Sequence, residues 1–208
     1  MRYLLPLLIS VFLLTACAGS LLPEPEPSPQ QWLLKRLANP SPNASLSATT
    51  NQSNQQGIYL AIERPTAPTP LRGREIWYRS QQHQLSPFSK QVWAESLDQQ
   101  IQQRMSDYLN QQPWLETSLP DQPGYRSAYR LRITLQEWYL NTVTQQLDIA
   151  VQINLLDAAG NSLLQHQWVA QPATSELSTA AMLATSQSWL NEWAAEVALL
   201  LREKLDGQ

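Results

Sequence analysis

Residues 128–140 read AYRLRITLQEWYL, and residues 146–157 read QLDIAVQINLLD. Both stretches alternate. In the first, Tyr129, Leu131, Ile133 and Leu135 point one way, and Arg130, Arg132, Thr134 and Gln136 point the other, because successive strand side chains lie on opposite faces. In the second, Leu147, Ile149, Val151, Ile153 and Leu155 share a face. The DAAGN at 157–161 carries a glycine suited to positive φ and predicts a hairpin into SLLQHQWVAQ. Three long antiparallel strands follow, with one apolar and one polar face. Such a sheet needs a second layer over its apolar side.

The flanking sequence supplies that layer. In residues 85–112, LSPFSKQVWAESLDQQIQQRMSDYLNQQ, the apolar residues Trp93, Leu97, Ile101, Met105 and Tyr108 recur every three or four positions. That is the stripe of an amphipathic helix. Ser86 or Ser89 would cap it, and Pro113 lies beyond its end. From Ser175 an alanine-rich helix runs to about Leu205, with Leu190, Trp193, Val197 and Leu201 as its stripe. Arg202 and Lys204 suit its C-terminal dipole. Upstream, GIYLAIERP at 57–65 alternates through Ile58, Leu60 and Ile62 and reads as a strand. TAPTPLRG is a turn-rich connector and REIWYRS a second short strand. QWLLKRL at 31–37 is a strand or a helical turn, and periodicity does not decide between them. The predicted class is α+β, an antiparallel sheet with two helices packed on one face.

The N-terminal segment carries a different signal. Arg2 precedes a run from Tyr3 to Leu14 that is apolar apart from Ser10. It is too short to span a bilayer, which takes ~20 apolar residues, and it fits the h-region of an export signal. The run ends in Leu14-Thr15-Ala16-Cys17, which resembles the bacterial lipobox. On that reading residues 1–16 are a lipoprotein signal peptide, cleavage follows Ala16, and Cys17 carries a covalent lipid. Position 18 is alanine rather than aspartate, which points to the outer membrane, with the domain facing the periplasm. Residues 17–29 form a proline-rich tether, and residues 30–208 the domain, interrupted at 38–56 by a polar low-complexity loop.

Composition limits what the domain does. Cys17 is the single cysteine of the chain, which excludes an intrachain disulfide and a cysteine metal cluster. The net charge is −3, and the charged fraction is 15%, so there is no basic field for nucleic acid. His83 and His166 are the two histidines, and neither has a partner at metal-ligand spacing. No nucleophile elbow or phosphate loop occurs. Glu95, Asp98, Asp107 and Glu116 read as a solvated helix face rather than paired catalytic carboxylates. Trp93, Trp138, Trp168, Trp189 and Trp193 lie on periodic elements and read as core. These features predict no enzyme, no metal and no cofactor beyond the lipid on Cys17.

Taken in order, the elements resemble the ABC-type transport auxiliary lipoprotein family. The resemblance rests on the lipobox, on QWLLKRL in the place of a family strand, on AIERPTAPTPLRGREIWYRS, on VWAESL, on LQEW and on the final alanine-rich helix. It favours the strand reading of QWLLKRL. It implies a non-enzymatic accessory of an intermembrane lipid transport system. The implied partner is a Mce-type substrate-binding or tunnel protein, met by a possible homo-oligomer. A lipoprotein that assembles an outer-membrane barrel of the lipopolysaccharide-insertion type has a similar layout and stands as the alternative. The candidate contact surface is Arg72, Arg74, Trp77, Tyr78 and Arg79, since arginines beside large aromatics concentrate binding energy. The competing reading is an edge strand whose arginines guard it against aggregation.

Overall fold

The computed structural model describes residues 27–37, 57–81 and 83–206. Ala16 and Cys17, the signal at 1–16, most of the tether and the loop at 38–56 lie outside the described residues. In chain order the elements are β1 (Gln30–Trp32), β2 (Tyr59–Ile62), α1 (Thr69–Arg72), β3 (Glu75–Gln81), β4 (Gln84–Trp93) and α2 (Leu97–Leu109). They continue with β5 (Thr117–Pro120), β6 (Tyr129–Asn141), β7 (Gln146–Asp157), β8 (Ser162–Ala170) and α3 (Thr179–Asp206).

The hairpin-linked meander β6-β7-β8 forms as its alternation dictates. Leu131, Ile133 and Leu135 of β6 lie opposite Leu155, Ile153 and Val151 of β7, and all six are buried. A bulge between Leu135 and Glu137 then shifts the phase by one residue. Beyond it, Trp138 and Leu140 face the core against Ile149 and Leu147, while Glu137 and Tyr139 take the opposite face, where Tyr139 is nonetheless buried. An inserted residue changes which parity faces inward. At the next turn Gly160 takes φ +88, the left-handed conformation that glycine adopts without steric cost.

The sheet is mixed rather than wholly antiparallel. β6 is long enough for one of its edges to take two neighbours. β2 pairs parallel to its start, Leu60–Ile62 against Tyr129–Leu131, and β3 pairs parallel to its end, Tyr78 and Arg79 against Leu140 and Asn141. β5 extends the sheet beyond β2, and β4 with β1 extends it beyond β3. Leu60, Ala61 and Ile62 are all buried, as expected of a strand enclosed between parallel neighbours. The α+β class stands, with α2 and α3 in contact over the core face.

Residues 84–93 are strand, not the first turns of a helix. β4 pairs with β3 through a hairpin, and α2 begins at Leu97 with Ser96 as its N-cap. Ser86 and Ser89 are therefore not caps. Trp93 is buried at the end of β4 rather than at the head of the helical stripe. The ambiguity is physical: Ser-Pro suits a helix start, yet Pro87 also fits a strand position where it leaves out one donor. QWLLKRL is strand only through Trp32, which pairs parallel with Trp93. The turn-rich connector contains the short helix α1.

The polar residues of α2 hold the surrounding chain. Gln100 accepts the Leu34 N–H at 2.8 Å, and its amide donates to the Glu95 carbonyl at 2.7 Å. Gln102 donates to the Ile62 carbonyl, Arg104 to the Leu34 carbonyl, and Ser106 to the Ser118 carbonyl. On the other side of the core the aromatics form a ladder. Trp138 packs edge-on to Trp189, which stacks on Trp193, which meets Trp168 edge-on. The buried Trp138 indole donates to Ser186 Oγ at 3.1 Å.

Candidate partner-binding surface

β3 is not an edge strand. It is paired with β4 on one side and β6 on the other, so guarding an open edge is not what its arginines do. Tyr78 is in register with the core-facing Leu140, and its ring lies 4.9 Å from that of Phe88. Trp77 and Arg79 therefore project from the opposite face, as adjacent strand residues must. Trp77 is half-buried, and its indole N–H is buried without an acceptor.

Each arginine of the predicted surface is engaged within the chain. Arg72, at the end of α1, donates through Nε to the Ala67 carbonyl at 2.6 Å. Arg74 donates to the Trp93 carbonyl at 2.8 Å, and the Trp93 N–H returns a bond to the Arg74 carbonyl. Together they close the irregular register between β3 and β4. Arg79 reaches Asp148 at 3.1 Å and Glu137 at 3.4 Å, and its guanidinium lies 5.2 Å from the centre of the Tyr139 ring.

Asp148 is the residue the sequence reading passed over. It sits in β7 between Leu147 and Ile149, on the outward parity, yet its side chain is only 2% exposed. Asn141 and Gln171 each donate to it at 3.0 Å in addition to Arg79. A buried carboxylate needs such donors, because desolvation penalises the bare charge. Burial first, and the nearby carboxylates of Glu137 and Asp148, push the Tyr139 phenol up against the lowering influence of Arg79. The phenol therefore stays neutral beneath the guanidinium. The one available signal was an aspartate set among apolar neighbours, between Leu147 and the Ile149-Ala150-Val151 run.

The exposed part of this region lies at the strand ends. Arg79, Gln81, Asn141, Val143 and Thr144 line an open cleft of about 210 Å³, and Val143 is 70% exposed. A second cleft, of about 440 Å³, separates Trp32, Leu33 and Leu34 from Ala180, Leu183 and Gln187 of α3. A second ion pair, Arg64 to Asp98 at 2.6 Å, ties the end of β2 to α2. Burial opposes ionisation of Asp98. The hydrogen bonds from Arg64 and Ser96, the Arg64 charge and the Gln99 N–H outweigh it, and they hold the carboxyl below its usual range.

The remaining candidates stay apart. His83 lies in the β3-β4 turn, and His166 lies on β8 with its ring 4.4 Å from Trp168. Glu95, Asp107 and Glu116 form no carboxylate pair with Asp98. No group of three metal-ligating side chains comes together among the described residues. Among them, too, no helix is long and apolar enough to cross a membrane.

The fold has solved counterparts. Protein XCC0632 from Xanthomonas campestris superposes with a TM-score of 0.71 at 16% identity, over 86% of this chain and 99% of that one. An uncharacterized protein superposes with a TM-score of 0.65 at 15% identity, over 84% of this chain and 99% of its own. At such identities the likeness establishes the fold alone. No curated protein sequence matches the chain. The family model for the ABC-type transport auxiliary lipoprotein component matches residues 39–198, from the polar loop to the last turns of α3. The chain belongs to the ABC-type transport auxiliary lipoprotein family.

Proposed function

We propose that this protein is a non-enzymatic, lipid-anchored accessory of an ABC transport system that moves lipid between two membranes. Cys17 carries the lipid, the outer membrane holds it, and the domain docks from the periplasmic side on a Mce-type substrate-binding or tunnel protein. The family match over 39–198 carries this reading. The lipobox-like LTAC supports the anchor, and the alanine at 18 supports the destination. One acyl chain holds a protein only marginally, at ~10⁴ M⁻¹, so stable anchoring takes more than one. The tether then lets the domain stand off the bilayer by up to ~3 Å per extended residue.

The docking surface in this reading is the sheet end where Arg79, Gln81, Asn141 and Thr144 line a cleft beside the exposed Val143. The test is capture of the lipid-free domain, residues 18–208, by periplasmic regions of Mce-type proteins from the same organism. Val143→Lys, on an exposed turn, should weaken capture without changing the fold. Cys17→Ser in the full chain should release the domain from membranes or block processing. Failure to capture any Mce-type protein, with co-purification of an outer-membrane barrel, would replace this reading with barrel assembly.

A further inference from the structure

The cleft of about 440 Å³ beside α3 shares no residue with the one at Val143. One of its walls is the end of β1 and the chain that follows. The Leu34 N–H donates to Gln100 Oε1, and the Leu34 carbonyl accepts from Arg104. The Lys35 N–H donates to Gln187 Oε1 at 2.7 Å. Leu34 is buried in the core, and the Trp32 indole N–H is held by the Gln91 side chain. This wall is therefore fixed by the fold itself, yet Leu33 on it is 49% exposed. An apolar hollow with a few polar groups at its rim is the usual form of a small-molecule site.

The other wall explains why the hollow exists. Ala180 and Ala184 are four residues apart on one face of α3, both exposed, with the half-buried Leu183 beside them. Methyl groups there leave room alongside Trp32 and Leu33 that larger side chains would fill. One turn further on the wall becomes polar, with Gln187, Ser188 and Asn191. From Ala180 to Asn191 the helix rises ~16 Å, enough to lay an acyl chain along it. Lys35 stands beside Gln187 and forms no ion pair among the described residues. None of the residues lining the cleft is acidic. The cleft is thus apolar along one part, with an unpaired positive charge beside the other.

We infer that this cleft binds one acyl chain of a lipid whose head group carries a phosphate or a carboxylate. The chain lies against Trp32, Leu33, Leu183 and Ala184, and the head group meets the Lys35 ammonium, a point charge suited to an anionic oxygen. The volume is at the low end of the ~300–1,000 Å³ of small-molecule sites, room for one chain and not for two. Position favours the same occupant, because this wall of the cleft follows directly on the tether at 17–29. The inference assigns the domain a direct contact with lipid, which docking on a transporter does not require. It stands or falls independently of capture by a Mce-type protein.

The test uses residues 18–208, which hold every described element, and a fatty acid brominated in mid-chain, kept below its micelle concentration. Bromine quenches indole fluorescence on contact. Quenching should saturate, and Trp32→Phe should remove most of it. For unbrominated fatty acids that compete with the probe, affinity should rise about fourfold per added CH₂ until the cleft is full, and then level off. Ala184→Phe and Ala180→Leu, both at exposed helix positions, should weaken binding ~10-fold or more, the worth of about two buried CH₂ groups, and leave the melting temperature unchanged. Lys35→Glu should weaken binding of the fatty acid more than that of an uncharged monoacylglycerol of the same chain length. Vesicles of phosphatidylglycerol with brominated chains separate the two sources. Quenching there assigns the chain to a bilayer phospholipid, and quenching by the monomeric fatty acid alone assigns it to a single-chain lipid. No saturable quenching from either source, quenching that survives Trp32→Phe in full, or an affinity indifferent to both filling variants would each overturn the inference.

Discussion

Replacing Arg79 with alanine should lower stability whether or not a partner is present. The substitution removes the guanidinium that bonds Asp148 at 3.1 Å and Glu137 at 3.4 Å. It leaves a carboxylate whose side chain is 2% exposed. Stranding one member of a fully buried pair costs ~3–5 kcal/mol. Two features reduce that here. Asn141 and Gln171 still donate to Asp148, and Arg79 is itself 24% exposed, so water enters where its side chain stood. The Glu137 arm, with Glu137 41% exposed, adds little. A loss of ~2–3 kcal/mol remains, close to that of one charged hydrogen bond. At ~2–4 °C per kcal/mol for a domain of this size, the melting temperature should fall by roughly 5–10 °C. Thermal and urea unfolding of Arg79→Ala, Asp148→Asn and the double variant form a mutant cycle that isolates the pair. Asp148→Asn should soften the effect of Arg79→Ala, because the stranded group is then neutral. A single variant that melts within about 1 °C of the wild type, with no coupling in the cycle, would mean that the network is ornamental and Arg79 is free for a partner.

Three further outcomes follow from the core and the turns. Ser186→Ala strands the buried Trp138 indole N–H and should cost ~1–3 kcal/mol, with a changed near-ultraviolet dichroism from the tryptophan ladder as a second readout. Gly160→Ala forces a side chain to φ +88 in the β7-β8 hairpin and should cost ~1–2 kcal/mol in denaturant unfolding. The folded carboxyl of Asp98 lies below its value of 3.8 in the unfolded chain, so its ionised form stabilises the fold above that pH and the gain is lost as the pH falls through the lower, folded value. Melting curves between about pH 2 and 7 should therefore show the wild type losing stability below about pH 4 more steeply than Asp98→Asn does.

The sequence by itself determined the meander and the class. Strict alternation in 128–140 and 146–157, with a glycine turn after it, leaves one apolar face, and the stripe through Leu190, Trp193, Val197 and Leu201 supplies a helix to cover it. Period and turn chemistry are local properties, so a single chain displays them. The core assignment of Trp193 was legible for the same reason; Trp93 and Trp138 are buried too, but Trp93 at the end of a strand rather than on a helical stripe, and Trp138 beyond a bulge. Tertiary structure decided which strands are neighbours. β2 and β3 share one edge of β6 in parallel, and nothing in YLAI or EIWYRSQ encodes a partner far along the chain. Long-range pairing also took SPFSKQVW from helix to strand, because β3 satisfies its backbone. The bulge at Leu135–Glu137 exchanged the faces of Trp138 and Tyr139, a phase shift that alternation alone conceals. Only the fold turned the arginines of LRGREIWYR into internal donors. Their acceptors, the Ala67 and Trp93 carbonyls and Asp148, come from three different elements and loops, and a charge is free or engaged according to what the chain brings within about 3 Å of it.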